Sequence, residues 1–197
     1  MYLFFDTETT GLPKRFDADI SDVDNWPRMV QLGFIACDDS GKTLESGDLL
    51  IKPEGFTIPE DAARIHGITT ERALAEGIPL SDALDKFVDS LDQASVLVAH
   101  NMSFDESVIG AELYRLGLNS DIETLKEIEK ICTMRSTTDI CRIPKAGYGR
   151  GYKWPTLSQL HWKLFAREFY GAHSAYKDAE ACARCFFKLR ELQEGSA

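Results

Sequence analysis

The chain lacks any apolar run long enough to cross a bilayer. Its first residues, MYLFFDTE, carry neither the basic start nor the small-residue cleavage site of a signal peptide. Membrane insertion and export are therefore not expected, and the compartment that follows is the cytoplasm. Paired cysteines are missing as well: Cys37, Cys132, Cys141, Cys182 and Cys185 are odd in number and scattered, which suits reduced thiols better than a disulfide framework. Cys182 and Cys185 have C-x-x-C spacing, but no second pair matches them and both fall on an apolar helical stripe, so core packing is expected of them rather than zinc or redox chemistry. Positive charge is scarce, with 22 Lys and Arg against 32 Asp and Glu. Proteins that wrap a polyanion present a basic face, so any such grip here must be local and short. Internal repeats and linker-like segments are absent too, and 197 residues suffice for one domain, 1–197, with a single sizeable core.

What is present begins with YLFFDTETTGL, from Tyr2 to Leu12. Four apolar or aromatic residues run into Asp6, and Glu8 follows two positions later. On a strand, side chains alternate with period two, so both carboxylates would leave the same face. Unpaired among apolar neighbours they would repel each other and lose hydration, penalties that a divalent cation removes. Asp, Thr and Gly are equally ordinary at the end of a strand entering a turn, and these residues alone leave both assignments open.

Residues 13–28 are charged and rich in turn formers. Val30 to Cys37 and Thr43 to Ile51 read as strands joined by the turn DDSG, which gives an antiparallel meander of three. Short helical pieces broken at Gly67 and Gly77 come next. Leu80, Ala83, Leu84, Phe87, Val88 and Leu91 then keep the rhythm of an amphipathic helix. SVLVAH, 95–100, is expected as a buried strand parallel to the first. A helix follows from Asn101 to about Gly117, then a partly helical 118–130, a short strand at Ile131 to Met134 and a helix to about Cys141. The segment 142–155 is basic, glycine-rich and aromatic. Its Lys145, Arg150, Lys153, Tyr148, Tyr152 and Trp154 suit either a guide for single strands or an ordinary solvated loop. Thr156 and Gln159 form a capping box, and a last helix runs from about Ser174 to Leu192. The fold class is α/β: a mixed sheet of the meander plus parallel strands, flanked by helices, with ligands gathering at the strands' carboxyl ends.

Two more acids point at that end. Asp105 shares a helical face with Val108 and Ile109. Asp178 is the one charged member of the stripe Asp178, Ala181, Cys182, Cys185, Phe186, Leu189, Leu192, so it must be paired, protonated or bound to metal. His173 precedes that helix by one residue, where its side chain can reach the same pocket. Asp6, Glu8, Asp105 and Asp178 in one small volume would be balanced by two divalent metals. Hard carboxylate oxygens select Mg²⁺ or Mn²⁺ over zinc, and two such ions suit in-line phosphodiester displacement. His173 suits proton removal from the attacking water.

FDTETTG at 5–11, HNMSFD at 100–105 and HSAYKDA at 173–179 resemble the three exonuclease motifs of the DEDDh family, the DnaQ-like 3′-to-5′ exonucleases with an RNase H-like fold. The resemblance spans Tyr2 to about Leu192. It implies that Asp6, Glu8 and Asp178 bind one Mg²⁺, that Asp6 and Asp105 serve a second, that Mn²⁺ substitutes, and that His173 is the general base. It further implies that His66, Asn101, Thr9, Thr10 and Leu12 lie around the terminal nucleotide, with Phe104 either stacking there or packing in the core. The expected activity is removal of nucleoside 5′-monophosphates from the 3′ end of single-stranded or frayed nucleic acid, DNA in preference to RNA; a non-catalytic descendant that only binds nucleic acid or a partner is the alternative. Gln31 stands where many relatives have Glu. The chain ends soon after its last helix, without the long tail by which some proofreading subunits hold a polymerase, which counts against dedicated proofreading. Expected partners are the 3′ end of a single strand, a polymerase or repair factor, and a second copy of the chain; a membrane is not expected.

Overall fold

Alternation along the first strand decides which helix covers which face of the sheet. In the computed structural model, which describes residues 1–147 and 150–195, β1 runs Tyr2–Thr9, β2 Met29–Cys37 and β3 Thr43–Leu50. They form the antiparallel meander read from the sequence. Tyr2 and Phe4 face one side; Leu3 and Phe5 face the other. Strands β4 (Val96–Ala99) and β5 (Glu129–Cys132) add to β1 in parallel, giving the order β3-β2-β1-β4-β5. The mixed sheet flanked by helices is the RNase H-like arrangement.

The larger core lies on the Leu3 and Phe5 side. It is closed by α3 (Leu80–Leu91), α4 (Met102–Leu116) and α5 (Asn119–Glu127). The expected amphipathic helix is α3: its Leu80, Ala83, Leu84, Phe87 and Leu91 are all buried. The two short helices α1 (Glu60–His66) and α2 (Thr70–Glu76) pack a small cluster with Val30 and Leu50, against β2 and β3. Gly67 ends α1 at φ 73°, a left-handed position that glycine occupies without strain.

The opposite face belongs to α9, Ala175–Glu194, and its neighbour α8, Leu157–Phe165, which starts at the expected Thr156–Gln159 capping box. Between β5 and α8 lie two single turns, α6 (Thr133–Ser136) and α7 (Thr138–Cys141). Cys182 and Phe186 are buried against Phe4, Ile35 and Val98, and Cys185 is buried as well, so the C-x-x-C pair is core. Burial pushes the Cys185 thiol up to about 12. The stripe frays at its end, where Leu192 is exposed. Tyr148, one of the aromatic residues named in the basic loop, lies outside the described residues.

One strand residue sets how close α9 comes. Gly33 pairs with Asp6 across β1 and β2, and a Cβ there would fall 2.1 Å from the Tyr176 nitrogen and 2.2 Å from the Ala175 carbonyl carbon. A glycine inside a strand marks such an approach of backbone to backbone. Gly33→Ala must therefore push the start of α9 off the sheet, and a loss of about 1–3 kcal/mol is expected in urea denaturation. An unchanged midpoint would mean that the helix start shifts without cost.

Candidate active site

Asp6 and Glu8 follow Phe4 on the face that α9 covers, and Asp178 stands in the first turn of α9. One ligand oxygen from each of these three lies within 4.8 Å of those of the other two. Gly33 permits the meeting by removing a side chain from the contact. Gln31 fixes it: its Oε1 accepts from the Ala175 N–H at 3.0 Å while its Nε2 donates to Asp48 Oδ1 at 2.6 Å. The amide thus ties the helix start to β2 and β3, directly opposite Glu8 in register.

Asp105 arrives differently from the sequence expectation of four acids on one spot. It is buried at the start of α4, on the other side of the sheet. β4 pairs with β1 only as far as Phe4, so the β1 edge beyond has donors to satisfy. Asp105 Oδ1 takes the Thr7 N–H at 3.0 Å and the Thr7 Oγ1 at 2.7 Å. It lies near enough to raise Asp6 and Glu8, yet stays outside the tight group of three.

His173 is exposed, with φ 68°, and its N–H donates to Asp178 Oδ2 at 2.9 Å. His66 lines a cavity of about 520 Å³ together with Glu8, Thr9, Leu12 and Phe104. Its Nδ1 accepts from the Ile68 N–H, and the ring also faces the Thr9 backbone, while burial lowers its pKa. Phe104 both lines the cavity and packs on the larger core. Leu12 stands 74% exposed at the rim. The threonine hydroxyls serve the backbone: Thr9 donates to the Gly11 carbonyl, and Thr10 accepts from the Arg28 N–H. Asn101, half-buried with φ 75°, begins α4 and is not among the residues that line this cavity.

Three residues escaped the sequence reading. Asp61 and Ile65 line the cavity from α1, and nothing local announces that. Glu112 could have been found, because it follows Asp105 by two helical turns on the same inward face. Fully buried, it accepts from the Met29 N–H at 2.8 Å and pairs with Arg28 at 2.9 Å and Arg115 at 3.2 Å. This cluster pins the return of the 13–28 excursion, and with it the loop that carries Leu12.

Electrostatics at the carboxylates run one way. Burial first, and then Asp105, Asp178 and Glu8, hold the Asp6 carboxyl well above its usual range. Burial, then Asp178 and Asp105, raise Glu8 to about 8. Asp178 rises to about 6 through burial, against the pull of the His173 N–H and imidazole. Asp105 is also raised by burial, with its two Thr7 bonds opposing. No lysine or arginine pairs with any of the four among the described residues. Crowded carboxylate oxygens without a lysine or arginine partner among the described residues are the donor set that fits a hard divalent cation.

An exonuclease family model, RNase T, matches residues 3–186. The chain is 27% identical over 195 residues to the PolC-type DNA polymerase III of Caldanaerobacter subterraneus subsp. tengcongensis, covering 98% of this chain and 12% of that protein. It is 30% identical over 143 residues to the DNA polymerase III epsilon subunit of Buchnera aphidicola, covering 73% of this chain and 53% of that one. Among solved structures, E. coli exonuclease I in complex with a dT13 oligonucleotide superposes with a TM-score of 0.72 at 21% identity, over 96% of this chain and 40% of the other. That likeness is one of fold. The chain spans about half or less of each of these proteins.

Because the folded-state values of Glu8 and Asp178 lie above their ordinary 4.5 and 3.8, their contribution to stability is whole below about pH 4. It is lost as pH rises through about 6 and then about 8. In chelator the melting temperature of the native protein is expected to fall over that window, and less so in Glu8→Gln. Added Mg²⁺, binding only the folded carboxylates, should raise it far more at pH 8 than at pH 5. Calorimetry at both pH values checks this; an equal gain at the two would contradict it.

Proposed function

This chain belongs to the RNase T family of exonucleases, DnaQ-like in its motifs, and from that premise we propose that it is a metal-dependent 3′-to-5′ exonuclease of the DEDDh type. Its substrate would be the 3′ end of single-stranded or frayed nucleic acid, DNA in preference to RNA, and its product nucleoside 5′-monophosphates. The observation that carries this is the approach of Asp6, Glu8 and Asp178 oxygens to within 4.8 Å, with no lysine or arginine paired to them among the described residues, beside a cavity large enough for a nucleoside. The single-domain extent, 1–197, belongs to the same proposal.

Asp6, Glu8 and Asp178 would hold one divalent cation and Asp6 with Asp105 a second, Mg²⁺ with Mn²⁺ as substitute, and when bound these ions supply charge stabilisation for phosphodiester hydrolysis. The chain's own residues do the rest. His173 accepts the proton of the attacking water, and its exposure lets the ring move between pocket and solvent. Its N–H bond to Asp178 makes the base and a ligand one unit. Leu12 and Phe104 flank the terminal base across the cavity. His66, which lines the cavity beside Thr9, would face the terminal nucleotide. The DNA preference and a polymerase or repair partner are supported by the DNA polymerase III relatives and by the oligonucleotide in the E. coli exonuclease I complex.

The test is to offer matched 5′-labelled single strands of DNA and RNA with Mg²⁺, Mn²⁺ or chelator. Stepwise shortening from the 3′ end, faster on DNA and abolished by chelator and by Asp178→Ala, is expected. His173→Ala should lower kcat by about 10²–10⁴ while leaving the melting temperature within a few degrees of native. Shortening from the 5′ end, or activity that survives chelation or Asp178→Ala, would defeat the assignment.

A further inference from the structure

Charge is distributed unevenly along this acidic chain. Residues 131–163 hold six lysines and arginines (Arg135, Arg142, Lys145, Arg150, Lys153, Lys163) against one acid, Asp139, in a protein whose net charge is −10. Each of the nine ion pairs among the described residues uses a cation from outside this segment. Among the described residues the segment's cations thus stand without an acidic partner, and six of them fall within 33 residues that hold a single acid.

Its position is fixed by the fold. Pro144 and Tyr152 form an antiparallel bridge, and the Lys153 N–H donates to the Ile143 carbonyl at 2.9 Å. Below them, His100 at the end of β4 links Thr133 Oγ1 and the Pro155 carbonyl, each at 3.0 Å. Burial pushes that imidazole down to about 4, so it stays neutral and the anchorage holds across the working pH range. Trp154 is 59% exposed and carries the Arg135 guanidinium 5.6 Å from its ring centroid. A large aromatic face left in solvent beside unpaired cations is the surface that single-stranded nucleic acid uses, by stacking and by phosphate neutralisation.

The geometry points to a second contact region for the same substrate, resting on the nuclease proposal above: Arg135, Arg142, Lys153 and Trp154 hold the strand on the 5′ side of the scissile link. The sheet order places it. The cavity for the terminal nucleoside is walled in part by α1, on the β2 and β3 side of Asp6. The basic surface is anchored at the end of β4 through His100, on the other side of β1. A strand with its last nucleoside in the cavity and its phosphate at the carboxylates must leave across β4, onto Trp154 and Arg135. The acidic remainder of the surface repels the strand elsewhere, which confines it to this exit.

The experiment compares native protein with the variant Arg135→Ala/Lys153→Ala/Trp154→Ala on dT3 and dT20. The ratio of kcat/KM on dT20 to that on dT3 should fall about tenfold or more, carried by KM. The salt dependence of dT20 affinity, measured by fluorescence anisotropy in chelator, should flatten by about 1–2 units of log–log slope. Equal losses on both lengths, or an unchanged dT20 affinity, would overturn the inference. So would a 20-residue polyglutamate that binds the native protein as tightly as dT20, which would assign the surface to an acidic protein partner. Because binding in chelator needs no hydrolysis, a protein that binds dT20 through these residues but cuts nothing would sink the nuclease proposal alone.

Discussion

Repulsion among carboxylates is the constraint around which this fold is arranged. Asp6 and Glu8 leave one face of β1, and α9 brings Asp178 onto them until oxygens from all three lie within 4.8 Å. Like charges at that separation in a partly buried site cost several kcal/mol unless they are protonated or share a cation. Burial raises all four acids, and neighbouring carboxylates raise Asp6, Glu8 and Asp105 further. A sequence selected for stability alone would replace at least one of them.

The surrounding structure keeps the acids from moving apart. Gly33 lets the α9 backbone rest on β2 where any side chain would hold it off. Gln31 satisfies the Ala175 N–H and is itself held by Asp48. Asp105 cannot retreat, because Thr7 binds it twice at the strand edge that β4 leaves open. Glu112, further along α4, fixes the loop that brings Leu12 to the cavity. Rigid elements thus hold the acids, while His173 and Leu12 stand in exposed segments where a substrate can engage them.

The acidic balance of the chain, at first sight unsuited to a polyanion, becomes intelligible once charge is mapped onto the fold. Four acids meet at the candidate site, and the nine ion pairs among the described residues engage only eight others, so the outer surface keeps its net negative charge. The stretch 131–163 carries six cations against one acid, and its Pro155 is tied to His100 at the end of β4.

Much of this was legible in the residues themselves, because helix and strand periodicity are local. The alternation of Phe4, Asp6 and Glu8, the 3.6-residue rhythm of α3, and the lone acid on the stripe of α9 each follow from backbone geometry within one element. So did the meander and the parallel β4. What could not be read were distances between elements. That Asp105 comes from the opposite face, that Gly33 is a contact with Tyr176, that Gln31 caps α9, and that Asp61 and Ile65 wall the cavity all depend on packing between segments far apart in the chain. The sequence determined which acids must face inward; the tertiary structure decided which of them touch, because hydrogen-bond satisfaction and close packing are settled only when all neighbours are in place.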